Sequence, residues 1–279
     1  MYSADEYKNV PIDINGEANK EKLIDAASAG IACIPYYRTQ AKNNPTYKKN
    51  IKGAPDVIYA REGLVNVILQ VNECLDPFGV DVVFLDSHRS IATQKALCSF
   101  FEEIFYESKG CGFCNITKEN KEQIYNKRAY YEKEAIKFRL MYCSGVEEFD
   151  TENANTWPMH STGGAVDLVL RDKNTGKIID FGEGYFDNPN EITHTRFYEE
   201  KKDLTEDEKG YLMARRLAYN VLAEHELVNY GYECTHYSYQ DQLWGLTKGV
   251  NAKYAYVSSP KDKMLSNILG VLTQQKQRK

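Results

Sequence analysis

The sequence has no long apolar run, no excess of positive charge and few histidines, and each shortage limits what the chain can be. No stretch approaches the roughly 20 apolar residues that a membrane-spanning helix requires. The chain has 35 Lys and Arg against 40 Asp and Glu, which gives a net charge of -5. Because phosphate binding needs a basic face, nucleic acid is not expected as a partner. A membrane is not expected as a partner either. The sequence gives no prediction of the oligomeric state.

The cysteine pattern does not form a disulfide framework. Seven cysteines are scattered over 279 residues, an odd and sparse set. The first ten residues, MYSADEYKNV, show neither the basic nor the apolar region of a signal peptide. We therefore predict a cytoplasmic protein, or a periplasmic or secreted one if a leader has been removed. Cys111 and Cys114 form a C-x-x-C, and we favour ordinary loop cysteines over a structural metal or redox site.

The order of apolar patterns predicts an α+β fold with a central, mostly antiparallel sheet flanked by helices. A single domain is expected over residues 1–279, with an N-terminal extension of about 1–55 and an insertion of about 107–156. Helices are predicted over residues 23–29, 59–75, 91–105, 118–140 and 206–227, and strands over 80–85, 163–170 and 237–244. In the helix predicted over 206–227, the residues expected to face inward are Leu212, Leu217, Val221 and Leu222.

Three short stretches contain residues suited to metal chemistry. In MHSTGGAVD, His160 precedes a strand that contains Asp167, and an aspartate in an apolar strand is costly unless a partner balances it. A metal ion would do so, and backbone hydrogen bonds at a strand edge are the alternative. In ECTH, His236 offers another ligand, and Glu233 offers a general base. Arg89 follows a predicted strand, where it can stabilise an oxyanion or form a surface salt bridge.

Together these stretches resemble the zinc-dependent D-alanyl-D-alanine dipeptidases associated with vancomycin resistance, and the wider D,D-carboxypeptidase and hedgehog-like fold. That family shows R-S-x-x-x-Q, then S-x-H-x-x-G-x-A-x-D, then E-W-W-H followed by G-D-x-x-W-A. The resemblance covers about residues 55–100 and 155–245. The matching residues are Arg89, Ser90 and Gln94, then His160, Gly163, Ala165 and Asp167, then Glu233, His236, Asp241 and Trp244.

The resemblance implies a role for each matched residue. His160, Asp167 and His236 would bind one zinc ion per chain. Glu233 would be the general base and Arg89 would stabilise the tetrahedral intermediate. The substrate would be a small peptide, D-Ala-D-Ala or a related cell-wall fragment. Asp187 would hold its amino group, and His88 and Ser161 are further candidate substrate-binding residues.

The sequence departs from the family pattern at positions that affect substrate recognition. Pro158 replaces the family's serine, Cys234 and Thr235 replace two tryptophans, and Glu226 replaces a glycine. A D,D- or L,D-carboxypeptidase or endopeptidase acting on longer stem peptides therefore remains an alternative, as does a non-catalytic zinc-binding module. Among the other histidines, His194 is expected to be solvent-exposed and His225 to be structural or on the surface.

Overall fold

A computed structural model describes residues 6–38, 51, 53–182 and 191–260. In these ranges helices and a sheet alternate irregularly along the chain, so the α+β prediction is confirmed. The strands are β1 (Leu23–Asp25), β2 (Ala32–Cys33), β3 (Tyr59–Arg61), β4 (Val80–Asp86), β5 (Ala165–Asp172), β6 (Val228–Asn229) and β7 (His236–Ser238). The helices are α1 (Glu62–Leu75), α2 (Ile91–Ser108), α3 (Lys121–Leu140), α4 (Phe197–Glu200), α5 (Glu206–Glu224) and α6 (Gln242–Lys248).

The main sheet has the strand order β2-β4-β5-β7-β6. Only β2 and β4 run parallel, and the other neighbouring pairs are antiparallel, as predicted. A smaller sheet pairs β1 with β3. None of the helices in the described ranges combines the length and the apolar composition needed to cross a bilayer.

The two central strands are covered on both faces because successive side chains of a strand point in opposite directions. Val82, Phe84 and Leu168 pack in the cluster that includes residues of α1 and α5. Val83 and Val169 pack instead in the cluster that includes residues of α2. Asp167 lies two residues before Val169, which places it on the α2 side of the sheet.

Two predicted elements differ from the structure for local reasons. Residues 23–29 do not form a helix, because the Asp25 carboxylate accepts hydrogen bonds from the backbone of Ala27 and Ser28 and closes a turn after β1. The strand predicted over 237–244 ends at Ser238. Asp241 then accepts a hydrogen bond from the backbone of Trp244 and caps α6.

Two helical predictions also need correction. The helix predicted to begin at residue 59 begins at Glu62, because β3 occupies the preceding residues. On α5, Leu217 is exposed and Leu212 only half-buried. The buried face of that helix consists of Ala214, Arg215, Ala218, Val221 and Leu222, since the short alanines allow close packing against the sheet.

One buried arginine joins distant parts of the chain around the loop that precedes β5. Arg61 is only 2 % exposed. Its guanidinium donates hydrogen bonds to the backbone carbonyls of Asn19, Glu21, Thr162 and Ala255. Residues near both ends of the described chain are thereby held against the loop that contains the first candidate metal ligand.

Candidate metal centre

The sheet register brings two of the predicted ligands together. Asp167 in β5 and His236 at the start of β7 are direct partners across the antiparallel pair, where side chains lie about 5 Å apart. The third, His160, lies in a 3-10 helix, Met159–Thr162, just before β5. Gly163 ends that turn with a φ of +75°, and a Cβ there would lie 2.6 Å from Leu23 Cδ2. A glycine is therefore required at this turn.

The three ligand atoms form a small triangle. His160 Nε2 lies 3.2 Å from His236 Nδ1, and His236 Nδ1 lies 3.0 Å from Asp167 Oδ1. The third side, between His160 Nε2 and Asp167 Oδ1, is 3.4 Å. Tetrahedral ligands placed 2.0–2.1 Å from a zinc ion are about 3.3 Å from one another. The buried triad could therefore hold a metal ion.

A hydrogen bond to one of the two imidazoles supports this arrangement. His160 Nδ1 lies 2.7 Å from the Ser87 carbonyl oxygen, and because a carbonyl only accepts, Nδ1 is the donor. The lone pair of Nε2 then faces the centre of the triad, as in metal-ligating histidines whose other nitrogen is held by a second group. His236 Nε2 is buried and has no hydrogen-bond partner in the part of the chain that is described.

The electrostatics of the triad favour a cation at its centre. Burial alone would raise the pKa of Asp167, but His160 and His236 hold it well below its usual range. Burial lowers the pKa of His236, yet Asp167 and Glu233 outweigh this and raise it. Without a metal ion, the cluster thus favours the binding of a proton. A metal cation would suit the same three side chains.

Arg89 lies behind the triad rather than on the surface. It is 7 % exposed, and its Nη2 lies 2.7 Å from Asp86 Oδ2 and 3.6 Å from Asp167 Oδ2. Its Nη1 donates to Gln94 Oε1 at 2.9 Å and its Nη2 to Tyr37 Oη at 2.6 Å. The alternative prediction, that Arg89 forms a salt bridge on the surface, is therefore wrong.

The R-S-x-x-x-Q pattern has a direct structural explanation. Ser90 caps α2 by accepting a hydrogen bond from the backbone of Thr93. Gln94, one turn into the helix, faces back to Arg89 and also donates to the Ser144 carbonyl at 2.8 Å. The helix start therefore fixes the position of the arginine relative to the triad.

Glu233 lies in the turn between β6 and β7 and lines the same cavity as the triad. The turn is closed by hydrogen bonds from the backbone of Glu233 to the Tyr230 carbonyl and from that of His236 to the Glu233 carbonyl. Asn229 Nδ2 donates to the carbonyls of Glu233 and His236, at 3.2 and 3.0 Å. The sequence analysis did not identify Asn229, and no local signal marked it.

The cavity at the triad has a volume of about 320 Å³, at the lower end of the range for small-molecule sites. One wall, residues 140–144, comes from the predicted insertion of about 107–156. A second cavity of about 450 Å³ lies beside Leu227, Leu243 and Leu246. None of the three candidate ligands lines it, so we place the site in the smaller cavity, where the ionisable groups converge.

Of the three predicted substrate-binding residues, the two that the structure describes are not on the cavity wall. His88 is buried, and its Nε2 lies 2.8 Å from the Val257 carbonyl oxygen. Ser161 donates its hydroxyl to the Pro158 carbonyl at 2.7 Å. Neither is among the residues that line the triad's cavity, and Asp187 lies outside the described residues.

Two other expectations concern histidine and cysteine. His194 was expected to be exposed, but it is half-buried and lines the cavity, with its ring 5.3 Å from that of Tyr232. The backbone carbonyl of His194 accepts a hydrogen bond from the buried Arg215, which holds it there.

Cys111 is buried and Cys114 exposed, and within the described ranges only the His160, Asp167 and His236 group meets the geometry for a metal ion.

At one departure from the family pattern the backbone has a conformation typical of glycine. Glu226, at the family's glycine position, has a φ of +68°, a conformation that glycine adopts most readily.

No protein-family model matches the chain, and a search of the curated proteins found no significant match.

Proposed function

We propose that the chain is a zinc-dependent peptidase with a hedgehog-like fold that hydrolyses D-Ala-D-Ala or a related short cell-wall peptide. The observation that carries this proposal is the buried triad, whose ligand atoms are 3.0–3.4 Å apart, in one cavity with Glu233 and Arg89. A site that only binds metal needs neither a nearby carboxylate base nor a buried guanidinium.

His160, Asp167 and His236 would hold the zinc ion, leaving one position open. When bound, zinc lowers the pKa of a coordinated water and polarises the scissile carbonyl. Glu233 accepts a proton from the attacking water and later returns it to the leaving amine. These roles require the carboxylate to lie in the cavity without being a ligand, and the turn held by Asn229 supports that placement.

Arg89 has the capacity to contact the substrate while remaining in its buried network. Its guanidinium has five N–H donors. Four hydrogen bonds, two to Asp86 and one each to Gln94 and Tyr37, account for four of them in the described part of the chain. One Nη1 hydrogen remains for the oxyanion that develops during hydrolysis.

The experiment that tests this function is hydrolysis of D-Ala-D-Ala by the zinc-loaded chain and by Glu233→Gln. We expect the variant to lose kcat by about 10²–10⁴-fold, the usual contribution of a general base, and to retain its zinc. Glu224→Gln, which alters an exposed glutamate of α5, is the matched control and should keep the wild-type rate.

Three outcomes would contradict parts of the proposal. If Glu233→Gln turned over substrate at the wild-type rate, Glu233 would not be the general base. Faster cleavage of a pentapeptide stem than of the dipeptide would favour an endopeptidase or carboxypeptidase. Stoichiometric zinc without hydrolysis of D,D-, L,D- or L,L-dipeptides would indicate a non-catalytic zinc-binding module.

A further inference from the structure

Two cysteines outside the metal centre lie in contact with each other. Cys98, in α2, has its Sγ 3.6 Å from the Sγ of Cys143, which follows the end of α3. Both side chains are buried. A disulfide bond is about 2.05 Å long, so the sulfurs need to approach by only about 1.5 Å. Cys143 lies in irregular backbone after the helix, where such a shift does not require a helix to move.

The two thiols are chemically unequal. The hydrogen bond to Cys143 and the charge of Arg139 lower the pKa of Cys98, although burial opposes them. The same hydrogen bond and burial raise the pKa of Cys143. A thiolate is the reactive form of cysteine, and an adjacent thiol can then resolve its oxidation product. Cys98 therefore has the character of the attacking sulfur and Cys143 that of the resolving one.

Arg139 supplies a buried positive charge near this thiolate. It is only 3 % exposed, and its Nη1 pairs with Glu147. Its Nε makes no hydrogen bond in the described residues but lies 3.6 Å from Glu102 Oε1. The buried charge of Arg139 lowers the pKa of Cys98, so this residue would stabilise a Cys98 thiolate.

A small oxidant can reach one member of the pair, Cys143, from the cavity, and Cys98 lies in contact with it. Cys143 and the adjacent Ser144 line the cavity of about 320 Å³ that contains the candidate metal ligands. By contrast, Cys33 is a poor candidate for oxidation because burial raises the pKa of its thiol to about 12. Cys74 and Cys114 are exposed, so they are the residues that unselective oxidation would modify first.

We propose that Cys98 and Cys143 form a redox modification site, at which a hydroperoxide closes a reversible disulfide. The Cys98 thiolate attacks the peroxide, breaks the O–O bond and becomes a sulfenic acid as hydroxide leaves. The Cys143 thiol then attacks that sulfur, and the S–O bond breaks as water leaves. Two thiols and one hydrogen peroxide give one disulfide and two waters in total.

A disulfide between Cys98 and Cys143 would link the cavity wall covalently to α2. Ser144, next to Cys143, accepts a hydrogen bond at its carbonyl from Gln94, and Gln94 in turn holds Arg89. The oxidised pair would thus fix the wall that faces the candidate active site. The modification itself is a property of the thiols and does not depend on peptide hydrolysis.

The test is peptide mapping of the full chain after treatment with hydrogen peroxide and alkylation of the remaining thiols. Trypsin places Cys98 in the fragment 96–109 and Cys143 in the fragment 140–171, each with a single cysteine. We expect these two fragments to become linked, to lose two alkylatable thiols together and to separate again with dithiothreitol.

The controls distinguish this pair from unselective oxidation. Cys98→Ser and Cys143→Ser should abolish the linked fragment, whereas Cys74→Ser should leave it unchanged. The proposal is overturned if Cys74 and Cys114 are oxidised in the wild-type chain while Cys98 and Cys143 stay alkylatable. It is equally overturned if Cys98 passes to a sulfinic acid without any linked fragment.

Discussion

At the scale of single residues, the main feature is a group of buried charges behind the candidate metal centre. β4 has one more residue than β5 at the point where Asp86 pairs with Asp167, a bulge of the kind often found beside functional sites. Arg89 contacts both carboxylates. Two buried carboxylates this close are costly unless a cation lies between them, so the arginine also stabilises the fold.

Replacing Arg89 tests this role. We expect Arg89→Ala to lower the free energy of unfolding of the metal-free chain by about 3–5 kcal/mol, the cost of breaking a buried ion pair from one side. Adding Asp86→Asn should recover part of that loss because one uncompensated carboxylate becomes neutral. Urea denaturation of the single and double variants gives the coupling, and strictly additive effects would contradict the account.

Asn229 supports a second prediction, because its side-chain amide holds the turn that contains Glu233 and leads into His236. We expect Asn229→Ala to lower the free energy of unfolding by about 1–3 kcal/mol, since carbonyls in the turn lose a donor. Urea denaturation measures this change. Asn220→Ala, which alters an exposed asparagine of α5, is the control, and equal effects of the two substitutions would count against the proposed support of the turn.

At the scale of elements, α6 begins at a buried carboxylate. Asp241 accepts hydrogen bonds from the backbone of Trp244 and the hydroxyl of Ser238. Burial nevertheless raises the pKa of Asp241, although these two hydrogen bonds lower it. An acid whose pKa is higher in the folded chain than in the unfolded chain stabilises the fold at low pH and loses this contribution as pH rises.

Asp241→Asn keeps a good helix cap and removes the ionisation. We therefore expect the wild type to lose stability relative to this variant as pH rises from about 4, the usual pKa of an unfolded aspartate. The measurement is the free energy of unfolding of both chains over a pH series. Parallel curves, or a wild type that gains stability relative to the variant with pH, would contradict the assigned direction.

The elements also show what a sequence can predict. The buried strand β4 and the helices α2 and α3 were predicted because their apolar or charged patterns are local. The predictions for residues 23–29 and 237–244 failed because single side chains, Asp25 and Asp241, form turns or caps that compete with the periodic pattern.

The candidate site was predictable in its residue types but not in its assembly. His160, Asp167 and His236 meet through the pairing of β5 with β7, which depends on register rather than on any local motif. His194 and Tyr37 reach the same cavity from segments with no sequence signal. Such residues are found only when the tertiary contacts are known.

At the scale of the whole molecule, the site depends on segments from nearly the full described chain. β2 belongs to the main sheet, Tyr7 lines the cavity, and Arg61 joins residues 19, 21, 162 and 255. A metal bound only by the folded chain should therefore stabilise the fold as a unit.

The zinc content of the dialysed full-length chain, measured by elemental mass spectrometry, tests the central claim most directly. We expect one zinc per chain in the wild type and in Glu233→Gln, and loss of that zinc in His160→Ala and His236→Ala, because each removes one of three ligands. A wild-type chain without stoichiometric zinc, or histidine variants that retain it, would contradict the assignment of the triad as a zinc site.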